Sequence, residues 1–212
     1  MELNNRRFIS FEGTEGAGKS TAINCLKQWF NERGVDPIIS REPGGTPLAE
    51  EIRSMLLAHR DEAVDQHTEL LLMYASRVQH VEVKIKPALE RGDWVISDRF
   101  NDASFAYQGT GRAIGEAKLA KLDDWALDGF KPGLTFFLDL PVSVGMERAG
   151  QRGELDRFEQ EDLDFFERVR EGYLRRAEQD PERFVIVDAA LSIPEVEEQV
   201  VTILEQRYSD EF

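Results

Sequence analysis

Cysteine, histidine and lysine are scarce in this 212-residue chain, which has one, three and seven of them. The lone Cys25 excludes an internal disulfide, and no Cys/His spacing resembles a metal site. No apolar run is long enough to cross a bilayer. The opening residues MELNNRRFISFEG hold no apolar stretch ending in a small-residue cleavage site, so no signal peptide is expected. Positive charge is also short. Against 41 Asp and Glu stand 26 Lys and Arg, a formal net charge of −15. Such acidity argues against nucleic acid or an anionic membrane as the main partner. A cytoplasmic protein is the expectation.

What basic charge there is lies mostly on arginine, 19 residues of it, whose planar fork grips phosphate bidentately. At 41% hydrophobic, the chain can bury the core of one sizeable domain, expected to span residues 1–212. Short β-prone runs recur: RFISFEG, PIISRE, DWVISDR, LTFFLDL and RFVIVDA. Helical patterns separate them. Ile23, Leu26, Trp29 and Phe30 repeat at helical spacing, as do Leu163, Phe166, Val169, Tyr173 and Leu174. Asp180-Pro181 stops the second pattern, and SIPE is a capping signal before a last helix. Apolar strands alternating with helices predict an α/β fold: a mainly parallel, five-stranded sheet with helices on both faces. Ligands on such sheets bind at the carboxyl ends of the strands.

One such end carries Gly13-Thr14-Glu15-Gly16-Ala17-Gly18-Lys19-Ser20, then Thr21. This fits the phosphate-loop pattern between a strand and a helix. Its backbone N–H groups and helix N-terminus would cradle phosphates. Lys19 should reach the β/γ-phosphates and the Ser20 hydroxyl should bind Mg²⁺. A nucleoside triphosphate is therefore expected. A switch GTPase, a motor module and a small-molecule kinase remain open. No N-K-x-D for guanine is present, and the compact length favours a kinase.

A second phosphate site is suggested by arginines. Arg41 and Arg99 fall at strand ends, with Asp98 beside Arg99, and Arg53 and Arg77 lie on the helices that follow. Met73 and Arg77 are four apart, as are Ser104 and Gln108, so each pair shares a helix face, with Tyr107 beside the second.

With FEGTEGAGKST, REPGGT, EEIRSMLL, YASRVQH, KPALERGDWVISDRF, ASFAYQGTGR, LTFFLDL, RGELDRFEQEDLDFFERVREGYL and VIVDA in order, the chain resembles the bacterial type of thymidylate kinase. The resemblance implies a P-loop kinase that phosphorylates dTMP to dTDP with Mg-ATP, in dTTP biosynthesis. It places Arg41, Arg53 and Arg99 at the acceptor phosphate, Arg77 and Gln108 on the thymine ring, and Ser104 near the base. Tyr107 would face the sugar 2′ position, Glu15 its 3′-hydroxyl, and Asp98 would position Mg²⁺ or Arg99. Met73 stands where many relatives stack a Phe on thymine; the aromatic here comes one residue later, at Tyr74, which reads as core packing. Gly16 after Glu15, with Arg148, Arg152 and Arg157 downstream, resembles the arrangement that carries the catalytic arginine in a lid, here near residues 148–160. Arg152 and Arg157 are the candidates for the transferring phosphate, with Lys19. Relatives are homodimers, so a homodimer is expected.

A phosphate acceptor needs no catalytic base, since its second pKa is about 6. That agrees with the lack of any Ser-His-Asp set: His59, His67 and His80 read as ordinary surface or packing residues. The alternatives are a kinase for another nucleoside monophosphate and a non-catalytic nucleotide-binding module.

Overall fold

The computed structural model describes residues 5–151, 157–158 and 160–212. Five strands form one sheet: β1 (Phe8–Glu12), β2 (Ile38–Arg41), β3 (Val95–Asp98), β4 (Leu134–Asp139) and β5 (Phe184–Asp188). All pairings are parallel, in the order β2-β3-β1-β4-β5. The helices are α1 (Lys19–Asn31), α2 (Pro47–Leu57), α3 (Gln66–His80), α4 (Lys86–Glu90), α5 (Asn101–Ser104), α6 (Glu116–Leu127), α7 (Val142–Gly150), α8 (Leu163–Gln179) and α9 (Ile193–Tyr208). Two π-helical stretches, Val81–Ile85 and Phe105–Gly111, continue from α3 and α5. The five expected strands and their parallel sense are all present.

Side-chain alternation along the strands sorts the core into two layers. Ile9 and Phe11 of β1 join Leu134, Phe136 and Leu138 of β4 under α1 and α9, against Leu26, Phe30, Val200 and Leu204. Each such side chain, fully buried, stabilises by about 1.5–3 kcal/mol. The alternate residues face α8. Phe137 stacks on Tyr173 at 5.1 Å, while Ser10 and Thr135 share a hydrogen bond of 2.8 Å. That layer is partly polar. Asp102, buried, takes Arg183 at 2.6 Å and Arg176 at 2.9 Å. Burial alone would raise the Asp102 pKa; the two guanidiniums outweigh it and hold the carboxylate below its ordinary range.

The expected cap before α9 forms, with the Glu195 carboxylate accepting the Ser192 N–H at 2.9 Å. Its α8 counterpart is Asp162, which accepts the Phe165 N–H at 2.6 Å. The chain crosses from β3 to β4 over β1, so β1 and β3 end side by side, Phe11 in register with Asp98. Their carboxyl ends frame the candidate site.

Candidate active site

Between β1 and α1 the chain turns through Gly16 at φ +72° and Gly18 at +87°. No side chain caps α1, which leaves its first N–H groups for an anion. Gly16 is also a matter of space. A Cβ there would lie 2.0 Å from the Gly145 carbonyl oxygen on α7. Lys19 folds back over the loop, and its Nζ donates to the carbonyls of Gly13 and Thr14, each at 3.2 Å. Burial, and then the charge of Arg99, lower the Lys19 pKa against the pull of Glu15 and Asp98.

A cavity of about 560 Å³ opens beside the loop. Every residue expected at the acceptor lies on its wall: Glu15, Arg41, Arg53, Met73, Arg77, Arg99, Ser104, Tyr107 and Gln108. So do Gly16 to Thr21 and Asp98; Gly13 and Thr14 lie just behind, within reach of Lys19.

Arg99 follows β3 at φ +70°, a region L side chains rarely enter. Its N–H donates to Phe11 O at 2.9 Å, and its carbonyl accepts Ser97 Oγ at 2.7 Å. These bonds hold the strained turn and send the guanidinium back over the loop. There Nη2 donates to Glu15 Oε1 at 2.7 Å and to Gly13 O at 3.2 Å. Tyr107, whose ring lies 4.8 Å from the guanidinium carbon, donates its hydroxyl to the same Glu15 oxygen at 2.9 Å. Burial would lower the Arg99 pKa, but Glu15, together with Tyr107, Tyr173 and Asp98, outweighs it and holds it well above the ordinary value. Of the other two arginines, Arg41 pairs with Glu50 at 2.9 Å, and Arg53 donates to Pro43 O at 2.9 Å.

Arg77 is buried and held by three bonds: Nε to Glu42 Oε2 at 2.7 Å, Nη1 to Ser104 Oγ at 2.9 Å, Nη2 to Phe100 O at 3.1 Å. A guanidinium has five N–H groups, so two remain. Tyr74 lies against Arg77 at 4.7 Å and donates its hydroxyl to Asp123 at 2.7 Å. It is core, as read from the sequence, and Met73 is the residue on the cavity wall.

His80 exceeds the packing role expected of it. It is fully buried, donates from Nδ1 to Glu42 Oε1 at 2.9 Å, and pairs through Nε2 with Ser40 Oγ at 2.7 Å. It thereby orients the carboxylate that orients Arg77. Nor do Ser104 and Gln108 share a regular α-helical face. The chain widens to π-helix at Phe105, and Ser104 meets Arg77 while Gln108 donates to Glu69 at 3.0 Å.

The downstream arginines divide. Arg152 lies outside the described residues. Arg157 is not brought to the loop: Nε donates to Leu56 O at 2.9 Å and Nη2 to Glu69 Oε2 at 2.8 Å. Arg148 sits within α7, donates to Ala189 O at 3.2 Å, and lines a second cavity of about 380 Å³ with Gly18, Thr21, Leu191 and Ile193. That cavity borders the phosphate loop on the α9 side, next to Ala189 and Leu191. Phe158 was missed. Its ring lines the cavity of about 560 Å³ beside the loop, edge-on to Tyr107 at 6.4 Å. Its one sequence signal is an aromatic directly after Arg157.

Asp98 Oδ1 is shielded from solvent and has no hydrogen-bond partner among the described residues. It shares the cavity wall with Ser20. A hard anionic oxygen left unpaired beside the phosphate-loop serine fits Mg²⁺, which takes few protein ligands and keeps phosphates and waters.

A phosphate loop at the carboxyl edge of a parallel 2-3-1-4-5 sheet, with an arginine-lined cavity adjoining it, defines a P-loop kinase fold. The thymidylate kinase family model matches residues 11–200. The thymidylate kinase of Hahella chejuensis is 52% identical over 190 residues, 90% of this chain and 91% of that one. The thymidylate kinase of Pseudomonas putida is 50% identical over 197 residues, 93% and 94% of the two chains. The chain belongs to the thymidylate kinase family.

Proposed function

We propose that this protein transfers the γ-phosphoryl group of ATP to dTMP, giving dTDP and ADP, the step that leads toward dTTP. The observation that carries this reading is one cavity that joins the phosphate loop to Arg77 and Gln108. An oxygen of the dTMP phosphate forms the new bond to the γ-phosphorus, and the bond to the β,γ-bridging oxygen breaks. No base is required, because the acceptor is already an anion near neutrality. Catalysis is positioning and charge neutralisation.

In this reading Lys19 and the loop amides from Gly13 to Thr21 hold the donor phosphates. Arg99, Arg41 and Arg53 hold the acceptor phosphate. Arg77 donates its remaining N–H groups to the thymine ring, Gln108 bonds the same edge, and Met73 and Phe158 pack the ring faces. Glu15 takes the 3′-hydroxyl and Tyr107 closes the 2′ side. Mg²⁺, held through Ser20 and Asp98, would neutralise charge between the donor phosphates. Arg152 and Arg157 act on the transferring group from a lid near 148–160, Arg157 exchanging Glu69 for phosphate. The exposed Leu71, Val83 and Trp125, on neighbouring elements tied by Tyr74 and Asp123, support a homodimer. No helix among the described residues can cross a membrane, in keeping with a cytoplasmic enzyme.

The test is ADP release with Mg-ATP and dTMP, dUMP, ribo-TMP, dCMP, dGMP and AMP. Fast turnover on dTMP, slower on dUMP and little on the rest is expected. Equal rates on several acceptors would sink the thymine pocket.

A further inference from the structure

Glu69, in the first turn of α3, is a buried carboxylate shared by four donors from three side chains. Oε1 accepts Gln108 Nε2 at 3.0 Å and Arg112 Nε at 3.4 Å. Oε2 accepts Arg157 Nη2 at 2.8 Å and Arg112 Nη2 at 3.4 Å. A carboxylate offers only lone pairs. It therefore takes the amino end of the Gln108 amide and turns the carbonyl, Oε1, away. Gln108 is buried on the acceptor cavity wall with Arg77.

We propose that Glu69 is a positioning residue for base selection, which locks Gln108 carbonyl-inward so that the pocket accepts a ring N3–H and rejects a ring N3 lone pair. The proposal rests on the reading of this cavity as the dTMP site. Thymine presents the O4 acceptor next to the N3–H donor. Cytosine presents the reverse, an amino group next to a bare N3. Arg77 has only donors, so it suits O4 and opposes the amino group. Gln108 is different, because a free amide can rotate to offer either end. Left free, it would accommodate cytosine at N3 as readily as thymine. Glu69 removes that choice. A buried polar pair left mismatched costs about 1–3 kcal/mol, roughly 5- to 150-fold in affinity.

Glu69→Gln supplies an amino group that can hold Gln108 by its carbonyl, so the Gln108 amide can turn over. Glu69→Asp keeps the charge toward Arg112 and Arg157 but withdraws it from Gln108 by one methylene, and it serves should the first variant not fold. The measurement is kcat/KM for dTMP and for dCMP, with Mg-ATP, in each variant and the parent. The dTMP:dCMP ratio should fall at least ~5-fold, with the acceptor KM for dTMP rising more than kcat falls. In a Gln108→Ala background the Glu69 substitutions should leave the ratio where Gln108→Ala alone puts it. An unchanged ratio, with both acceptors slowed alike, would reduce Glu69 to a partner for Arg112 and Arg157 and overturn the proposal. So would an equal fall in the ratio with and without Gln108. A parent protein that does not prefer dTMP to dCMP would overturn the reading of the cavity instead.

Discussion

Arg99 Nη2 lies 2.7 Å from Glu15 Oε1, so the phosphate loop's own carboxylate already holds this guanidinium. Glu15 and Gly13 occupy the hydrogens of Nη2. Nε–H and both Nη1 hydrogens have no hydrogen-bond partner among the described residues and are left to donate to a phosphate. The pairing pre-orients the guanidinium and leaves those three N–H groups for the acceptor. Arg99→Lys keeps the charge and loses the fixed planar donor set, because a lysine amine is a point charge. It should lower kcat/KM for dTMP about 100-fold, with ATP affinity changed by less than about threefold. Steady-state kinetics and calorimetric ATP titration check both. Full activity in the lysine variant would mean charge alone suffices there.

Arg157 is bound to Glu69 and to the Leu56 carbonyl, so its proposed action on the transferring phosphate requires it to let go. Arg152→Ala and Arg157→Ala should each lower kcat by roughly 10³–10⁵ and move the acceptor KM little, the signature of contacts made in the transition state. Single-turnover rates separate this from slow product release. If Arg157→Ala kept its turnover and only melted earlier, Arg157 would be a strut between α2 and α3.

Gly145 of α7 packs closely against the phosphate loop. A Cβ at Gly145 would lie 2.4 Å from the Glu15 carbonyl oxygen, and both atoms are on backbone that cannot swing aside. Gly145→Ala should displace the loop or the helix. The expected result is a KM for ATP raised about tenfold or more and a melting temperature lowered by several degrees, since overpacking costs about 1–3 kcal/mol. A variant with unchanged ATP kinetics would show that α7 can shift without carrying the loop.

How much of this was legible in the sequence follows from how local each feature is. The strands announce themselves as five short apolar runs, and the phosphate loop as closely spaced glycines before Lys19. Arg41 and Arg99 could be read because strand ends point toward ligands. The supports of those residues could not. Glu42, His80 and Ser40 lie on β2, its loop and α3, and only the fold makes them a chain behind Arg77. Glu69 is one of 41 acidic residues, and nothing local separates a buried carboxylate from a solvated one. The π-helical turn at Phe105–Gly111 also escaped, because a helical spacing of four does not distinguish it from an α-helix.

Glu12, the last residue of β1 and fully buried, lies directly before the phosphate loop. Its Oε1 accepts the Phe100 N–H at 2.7 Å, and its Oε2 pairs with the Tyr173 hydroxyl at 2.8 Å. Burial first, and the charge of Asp102 second, push its pKa from 4.5 up to about 8, against the opposing pull of Tyr173, Phe100 and Arg99. Between those two values the folded chain keeps a proton that the unfolded chain has lost. The contribution to stability is therefore fully present below the unfolded value and is lost as pH rises toward the folded one. Each pH unit across that window costs about 1.4 kcal/mol. Glu12→Gln is a neutral mimic: its carbonyl can accept from Phe100, and its amino group can donate to Tyr173. The variant should match the parent near about pH 5 and exceed it by a few kcal/mol near about pH 8. Urea unfolding across that range reads the difference directly. A constant offset between the two proteins would show that Glu12 is ionised in the fold throughout, with Phe100, Tyr173 and Arg99 outweighing its burial.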